Sequence, residues 1–280
     1  MRYYPHPGIL QETTQGDALI HAGPMTTTFK CRLAFAALLI SFGVGPRETA
    51  AQSVNQIGAW DGLVLSPVGA LTPVARDPGD LASGGNELSL RYGRWRYDPD
   101  DAVHDDLGVT WSHGLGIRET QLSLTGAYEL VECPTCSAWV SGGLDVQSTL
   151  WDHGFARTDR RPIRMGADVR LSLGGAKYLG PEGSTAGSAA ITVPIFIGLP
   201  LWRSSSLCAS IVPGFGFGRV TASDFAAGGF LPTIGAAISW TVASRVGVNV
   251  GVQRIVIAGG PTQVGAALSW KLRAVGPVRP

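Results

Sequence analysis

The sequence predicts an antiparallel, up-and-down transmembrane β-barrel of about ten strands, within a range of 8 to 12. Apolar and polar residues alternate over residues 163–174, which puts every apolar side chain of that segment on one face of a strand. The same two-residue period returns at residues 246–252 and 264–272. Turn-forming residues separate these segments, and most segments have the length of roughly 9–11 residues that a tilted strand needs to cross a bilayer.

The predicted strands all follow residue 85, and their even number keeps both ends of the barrel in the periplasm. Short periplasmic turns are expected to alternate with longer external loops. Two connections do not follow this rule, because residues 152–161 are long for a periplasmic turn and residues 133–136 are short for an external one. The strands are predicted at residues 87–97, 107–115, 120–132, 137–151, 162–174, 188–199, 207–219, 229–241, 245–257 and 262–272.

Five residues depart from the pattern of an ideal closed barrel. Pro194, Pro213 and Pro232 fall inside predicted strands, where a missing amide donor predicts bulges or shifted strand ends. Arg94 and Arg254 share the apolar phase of their strands. Because an outward arginine costs about 2–4 kcal/mol at the bilayer midplane but only about 0–1 kcal/mol near the interface, we expect both to lie near the external ends.

The polar face of the predicted strands is rich in Gly, Ser, Thr and Ala, which suits the crowded inside of a narrow barrel. A soluble β-sandwich is expected to carry Lys, Glu and Thr on its outer face instead. Trp240 and Trp270 fall near the inferred periplasmic strand ends, where an aromatic girdle is expected.

The N-terminal part of the chain has the pattern of an exported protein. Lys30 and Arg32 precede the apolar run of residues 33–45, and small residues follow it, which predicts a secretory signal at residues 25–51. A short buried core helix is the alternative interpretation of this run. We expect residues 1–24 to be an upstream extension. The remaining organisation is predicted as a periplasmic leader or linker at residues 52–85, the barrel at 86–273 and a C-terminal tail at 274–280.

Charge and composition narrow the function classes. Removing residues 1–51 takes away four Lys or Arg and three Asp or Glu, which lowers the formal net charge from +1 to zero. We predict no nucleic-acid partner, because the sequence has no basic patch with interleaved aromatic residues. No cofactor-binding or metal-binding pattern is evident, and residues 214–218, with glycine at every second position, indicate a strand face and not a nucleotide loop.

On the signal, the alternating strands and the girdle tryptophans, the chain resembles the small outer-membrane β-barrel proteins of Gram-negative bacteria. The resemblance implies a location in the bacterial outer membrane, contact with outer-membrane lipid and assembly by the barrel-assembly machinery. Barrels of this kind usually end on an aromatic residue that this machinery recognises. Here residues 273–280 follow the last strand, so that Trp270 or Leu272 has to serve that purpose.

Seven polar residues have the phase of the barrel interior. In a confined lumen, unpaired charges are costly, so cross-lumen pairing is the first expectation and a conducting or selectivity role for small solutes is the alternative. The predicted lumen cluster comprises Arg91, Glu129, Asp145, Gln147, Arg164, Asp168 and Arg170.

Cys133 and Cys136 lie at the apex of a predicted hairpin, and an exported protein meets an oxidising compartment. A disulfide that clips this turn is the first expectation. Redox chemistry is the alternative, although the spacing lacks the helix N-terminus that activates such a thiolate. Cys208 lies near the opposite end of the barrel and is expected to pair with neither.

Candidate catalytic groups are few. Acidic residues and His104 lie in one predicted external loop, while His113 and His153 each follow a polar residue elsewhere, and no complete set of nucleophile, base and orienting group can be assembled. We therefore expect a non-enzymatic barrel with a structural, narrow-pore or surface-interaction role. The alternatives are a hydrolase acting on lipid or peptide at the barrel rim and a secreted, soluble all-β binding module.

Overall fold

The structure is a computed structural model that describes residues 62–64, 81, 84–96, 103–117, 119–131, 138–157, 160–180, 183–202, 205–223, 225–242 and 245–272. The predicted signal and upstream extension, most of the predicted leader, and the predicted tail lie outside these residues. The strands are β1 (Asn86–Arg96), β2 (Val103–Gly114), β3 (Gln121–Val131), β4 (Trp139–Arg157), β5 (Arg160–Tyr178), β6 (Thr185–Thr192), β7 (Ile195–Trp202), β8 (Ser205–Ala222), β9 (Phe225–Val242), β10 (Val246–Ile255) and β11 (Thr262–Leu272).

All strands belong to one antiparallel sheet that closes on itself. Sequence neighbours pair along the sheet, β1 pairs with β11, and β4 pairs with β5, so that no edge of the sheet is left open. The β6 and β7 segments both lie between β5 and β8 and form one interrupted strand, which gives a ten-strand barrel. The predicted fold class is confirmed. We call the rim that holds Asn86 and Leu272 the lower rim, and the opposite one the upper rim.

The interruption between β6 and β7 falls at Val193 and Pro194 and leaves the register unchanged. Thr192 pairs with Gly214 and Ile195 with Ile211, so the two residues between them on one strand face two on the other. The Val193 amide donates to the Pro213 carbonyl at 2.9 Å. Pro213 and Pro232 lie within β8 and β9, whose pairing shows no register shift, so the bulges or shifted ends predicted at these two prolines are wrong.

Register shifts occur near the lower rim, in β4 and in β7, and the first of them is a β-bulge in β4. Thr149 pairs with Asp168 and Trp151 with Ala167, so Leu150 is an extra residue in the ladder. A bulge reverses the side to which the following residues point. It brings Asp152 onto the inward phase and sends Trp151 outward. The sequence therefore loses its simple alternation here, and the predicted turn at residues 152–161 is in fact a continuation of the hairpin.

Several hairpins are tighter than the sequence predicts. Only residues 158 and 159 separate β4 from β5, and residues 223 and 224 separate β8 from β9. The strands of these hairpins have 18 or 19 residues. Likewise, β2 begins at Val103, so His104, Asp105 and Asp106 lie in a strand and not in the predicted external loop.

The two faces of the sheet differ in chemistry as a transmembrane barrel requires. The outward face is apolar along most of its height, with Leu107 65%, Leu173 59% and Phe230 78% exposed. The inward face carries small and polar residues, which are almost all buried. No helix among the described residues is long and apolar enough to span a membrane.

A short piece of the predicted leader lies inside the barrel. Gly62, Leu63 and Val64 form a helical turn. Leu63 is 0% exposed and Val64 3%, and both pack in one apolar cluster with residues of the barrel wall. We call these three residues the lumen turn.

Candidate functional site: the barrel lumen

The lumen is the one place where the fold gathers buried polar groups from many strands. On the upper part of β1 and β2, the Arg91 guanidinium lies 3.7 Å from Asp106 Oδ1, with both side chains at most 6% exposed. The Gln263 amide of β11 donates to Asp106 Oδ2 at 3.0 Å. The opposite charge and the amide donor stabilise the buried Asp106 carboxylate, as a buried charge requires.

Glu129 lies on the next strand round, β3, and is 2% exposed. The Ser141 hydroxyl of β4 donates to Glu129 Oε1 at 2.9 Å. Serine at this position fits the narrow space between two strands and still supplies a donor, which is why a small polar residue faces the carboxyl group here.

A second polar cluster lies between β4 and β5. The Arg170 guanidinium contacts Asp145 Oδ2 at 3.3 Å, and the two side chains are 10% and 3% exposed. The Gln147 amide donates to Asp168 Oδ2 at 2.6 Å. Asp145 and Gln147 are two residues apart on β4, and Asp168 and Arg170 two residues apart on β5, so alternation puts all four on the inward face.

Hydroxyl groups bridge the strands between these clusters. Ser112 and Ser123 lie 2.9 Å apart through their Oγ atoms, and Thr110 and Thr125 are joined at the same distance. Among these groups lies a cavity of about 30 Å³. Since one water needs about 10–15 Å³, this cavity has room for about two waters. It is lined by Ser89, Arg91, Thr110, Ser112, Gln121, Ser123, Thr125, Gln147, Arg170, Asn249 and Ala267.

Arg164, the remaining residue of the predicted lumen cluster, lies at the lower rim. Its guanidinium contacts the Asp152 carboxylate, and it reaches Glu119 of the β2–β3 turn at 3.4 Å. The three side chains are 22%, 25% and 43% exposed. The geometry thus joins Arg164 to rim acids, whereas the other six residues of the set line the barrel interior.

The lumen turn fills the upper part of the barrel. Leu63 and Val64 pack with Trp95, Leu231 and Ile255, each at most 3% exposed. A Cβ at Gly216 of β8 would lie 2.5 Å from Leu63 Cδ2. A Cβ at Gly62 would collide with the backbone of Gly218 and Arg219. The glycines of β8 therefore leave the space that the lumen turn occupies, and Gly62 is required for the close approach.

The tryptophans predicted for the girdle lie on the outer face near the lower rim. Trp240 is 42% exposed, and its indole N–H donates to Ser205 Oγ at 2.9 Å. Trp270 pairs in register with Leu88 on one side and Val246 on the other. Both rings lie outside the sheet near the strand ends, which is where interfacial tryptophans are found.

The predicted disulfide of Cys133 and Cys136 lies outside the described residues. Cys208 is a buried thiol on the inward face of β8, where it packs with Phe196 and Ala237. Its position near the lower rim agrees with the sequence-based placement at the end of the barrel opposite residues 133–136.

The histidines considered for catalysis are dispersed. His113 Nδ1 lies 3.0 Å from Asn86 Oδ1 at the lower rim, and the ring stacks on Trp111. His153 contacts Phe155 edge-on, in the β4–β5 hairpin at the same rim. His104 lies at the upper rim in β2. Within the described part of the chain, no three His, Cys, Asp or Glu side chains are grouped closely enough to hold a metal ion.

Sequence reasoning missed several contributors to the lumen, among them Asp106, Gln263 and the lumen turn. Asp106 was assigned to a loop because polar residues surround it in the sequence. Its spacing of two from Gly108 and of four from Thr110 is the signal that assigns it to the inward face. Gln263 similarly continues the inward phase of Gly265 and Ala267.

No protein family and no curated protein sequence matches this chain. Among solved structures, it is similar to the N-terminal β-barrel domain of Pseudomonas aeruginosa OprF, at 12% identity over 67% of this chain and 99% of that one, with a TM-score of 0.28. It is similar to Ail, the attachment invasion locus protein of Yersinia pestis, at 8% identity over 67% and 97% of the two chains, with a TM-score of 0.27. It is also similar to the Acinetobacter baumannii outer membrane protein Omp33, at 9% identity over 67% and 99%, with a TM-score of 0.27.

Proposed function

We propose that this protein is a non-catalytic outer-membrane barrel with a closed lumen, which serves as a membrane-embedded scaffold for its upper hairpins. One observation carries the proposal: side-chain pairs and the lumen turn occupy the described interior, and the cavity among the polar residues has a volume of about 30 Å³. A porin needs a continuous aqueous channel, which such a cavity does not provide.

The outer surface supports the membrane location. Along β11 the outward residues are apolar from Leu272 to Val264, and eight steps of ~3.4 Å span about 27 Å along the strand. With a strand tilt of roughly 40°, this corresponds to about 20 Å across the membrane, close to the height of the apolar band of known barrels. The lower rim, which holds both ends of the barrel, is then periplasmic.

The test is electrophoretic mobility followed by conductance. Mature protein from the outer-membrane fraction is expected to run as two bands that interconvert on boiling in detergent, because a closed barrel resists detergent until heated. Reconstituted into a planar bilayer, the same protein is expected to show no steady conductance. A single band in a soluble fraction would contradict the membrane location, and a steady open channel would contradict the closed lumen.

A narrow cation-conducting pore is a second candidate, and the charge balance of the lumen favours it. The buried charged side chains comprise five acids and two arginines, namely Glu87, Asp106, Glu129, Asp145, Asp168, Arg91 and Arg170. If the lumen turn is a removable plug, its displacement exposes this acidic interior. The substitution Gly62→Val displaces the turn, because any side chain at Gly62 meets the backbone of β8.

The pore candidate predicts that Gly62→Val produces channel openings whose reversal potential in a salt gradient indicates cation preference. Gly126→Ala, at an outward position with open space around it, is the matched control and is expected to stay closed. If the Gly62→Val barrel stays closed while it keeps its heat-dependent mobility, the pore candidate is rejected and the scaffold proposal stands.

A further inference from the structure

Although every strand pairs with a neighbour on both sides, β9 extends further upward than β10. The pairing of these two strands ends with Ile255 and Thr233, whereas the pairing of β9 with β8 continues to Phe225, next to the hairpin turn. Residues 225–231 therefore have β8 on one side and no described strand on the other. Six steps of ~3.4 Å give this segment a length of about 20 Å. We call residues 225–231 the β9 overhang.

Every second residue of the overhang directs its backbone hydrogen-bonding groups away from β8. The Val256 amide donates to the Pro232 carbonyl at 2.8 Å, so that carbonyl points to the β10 side. Because the in-plane direction alternates along an antiparallel strand, Ala226, Gly228 and Phe230 direct both N–H and C=O to the same side. Within the described part of the chain, these groups have no hydrogen-bond partner. Pro232 has no amide hydrogen to donate, and the ladder with β10 ends there.

The overhang is held in place by the rest of the barrel. Its ladder with β8 is complete and shows no register shift. On the inner side, Ala227 and Leu231 are each 3% exposed, and Leu231 packs with Leu63 of the lumen turn. On the outer side, Phe230 is 78% exposed, and its ring centroid lies 5.0 Å from that of Phe217. The open edge is thus ordered before a partner arrives, which lowers the entropic cost of binding.

The overhang lacks the features that usually protect an exposed strand edge. Charged residues, prolines and bulges prevent such edges from pairing with other chains. Residues 225–231 contain no charged residue and no proline. By contrast, β4 runs past the end of β3 at the lower rim over residues 150–157, and that segment has Asp152 and two register shifts. The chain therefore protects the extended part of β4 and leaves the β9 overhang open.

Two copies of this barrel with the same orientation in one membrane cannot pair through their β9 overhangs. Antiparallel pairing of one edge with the same edge of a second copy has a twofold axis perpendicular to the sheet. The sheet of a barrel wall stands upright in the membrane, so this axis lies in the membrane plane and turns the second barrel upside down. The geometry thus favours a different chain as the occupant of the edge.

We propose that the β9 overhang is a docking edge for an extended peptide segment of another protein outside the cell. The segment adds one strand to the sheet above the end of β10 and hydrogen-bonds to the open groups of Ala226, Gly228 and Phe230. Aromatic side chains suit its outward positions, because an aromatic residue opposite Gly228 covers the glycine and contacts Phe230. The inference rests on the proposed function, in which the upper hairpins project to the outside.

The experiment measures binding of a fluorescent peptide to full-length mature protein in lipid nanodiscs by fluorescence anisotropy. The probe is a short peptide with blocked ends, in which threonine alternates with valine around a central phenylalanine. Ala226→Pro removes an open amide donor and spares the ladder with β8, because this amide points away from β8. Ala226→Ser keeps the donor and is the matched control.

We expect wild type to bind the probe and Ala226→Pro to raise the dissociation constant about tenfold, as loss of a main-chain hydrogen bond at an edge requires. Ala226→Ser is expected to stay within about twofold of wild type. The same peptide with every amide N-methylated is expected not to bind, because it has no donors for the carbonyl groups of the edge.

Other results overturn the proposal in distinct ways. Absence of binding to wild type, or equal affinity of wild type and Ala226→Pro, would reject the edge as the site. Equal weakening in both variants, or binding of the N-methylated peptide, would indicate contact through side chains alone. Self-association of wild type in detergent that Ala226→Pro abolishes would make a second copy the occupant.

Heat-dependent gel mobility, recorded for every protein, separates this inference from the proposed function. If wild type lacks this mobility, the membrane barrel and with it the proposed function fail. Intact mobility without binding of the probe rejects the docking edge alone.

Discussion

The two halves of the barrel wall fill the lumen in different ways. From β1 to β5, the wall fills it with its own side chains: arginines, carboxylates and amides that pair across neighbouring strands. From β6 to β9, the inward residues are mostly glycine, alanine, serine and threonine, and the lumen turn fills the upper part of that space. The comparison shows two ways of filling a barrel lumen. Large side chains of the wall can fill it, or small wall residues can leave space for an inserted segment of the chain.

The largest expected effect comes from breaking a pair in the polar half. Asp145→Ala removes the carboxylate that contacts the buried Arg170, and removal of one member of a buried pair costs about 3–5 kcal/mol. We expect a loss of about 3 kcal/mol in the free energy of unfolding, measured by urea titration in lipid vesicles. The double variant Asp145→Leu/Arg170→Met is expected to recover part of it. A loss below about 1 kcal/mol would mean that lumen water screens the pair.

A smaller effect is expected in the inserted half. Gly216→Ala introduces a Cβ 2.5 Å from Leu63 Cδ2, and overpacking of this kind costs about 1–3 kcal/mol. Combined with Leu63→Ala, the same substitution should cost much less, because the smaller side chain vacates the space. Urea unfolding of both single variants and the double variant gives the coupling. Additive losses would contradict direct packing of the lumen turn on β8.

A pair of glycines compares lumen and lipid faces directly. At Gly93, a Cβ would lie 2.5 Å from Asp106 Oδ2 and 2.6 Å from Gln263 Nε2, so Gly93→Ala should disturb that hydrogen bond and cost about 1–2 kcal/mol. At Gly126 nothing lies within 4 Å, and Gly126→Ala should change stability by less than about 0.5 kcal/mol. The temperature at which each variant loses its fast-migrating gel band measures the difference in stability. Equal temperature shifts in the two variants would contradict the packing around Gly93 in the lumen.

The smallest effect is expected at the lower rim. Arg164→Ala removes contacts to Asp152 and Glu119 that are partly exposed, and such pairs contribute about 0–1 kcal/mol. The loss should shrink further in 0.5 M salt, because screening weakens exposed pairs. Parallel unfolding titrations at two salt concentrations measure this. A salt-independent loss above 2 kcal/mol would assign Arg164 to the sealed interior.

The strand phases and the polar half were predictable because alternation records which residues face inward. Arg91, Asp145 and Arg170 were assigned to the lumen from that period alone, and the structure places them there. The long β4–β5 hairpin was not predictable, because the bulge at Leu150 breaks the period and mimics a turn.

The lumen turn escaped prediction for a different reason. Its three residues carry no period, and their burial depends on space left by Gly216 and Gly218 more than 150 positions away in the chain. Asp106 and Gln263 illustrate an intermediate case. Each obeys the inward phase of its strand, but their pairing depends on the closure of β1 with β11, which no local pattern records.

The accessibility of the Cys208 thiol reports whether the barrel of a given molecule has closed. The residue is 3% exposed on the inward wall, packed against Phe196 and Ala237, so a water-borne alkylating reagent reaches it only before the sheet closes. Pulse labelling at successive times after synthesis would therefore date barrel closure. Early protection of this sulfur would mean that the barrel closes soon after synthesis, and late protection would mean that closure is delayed.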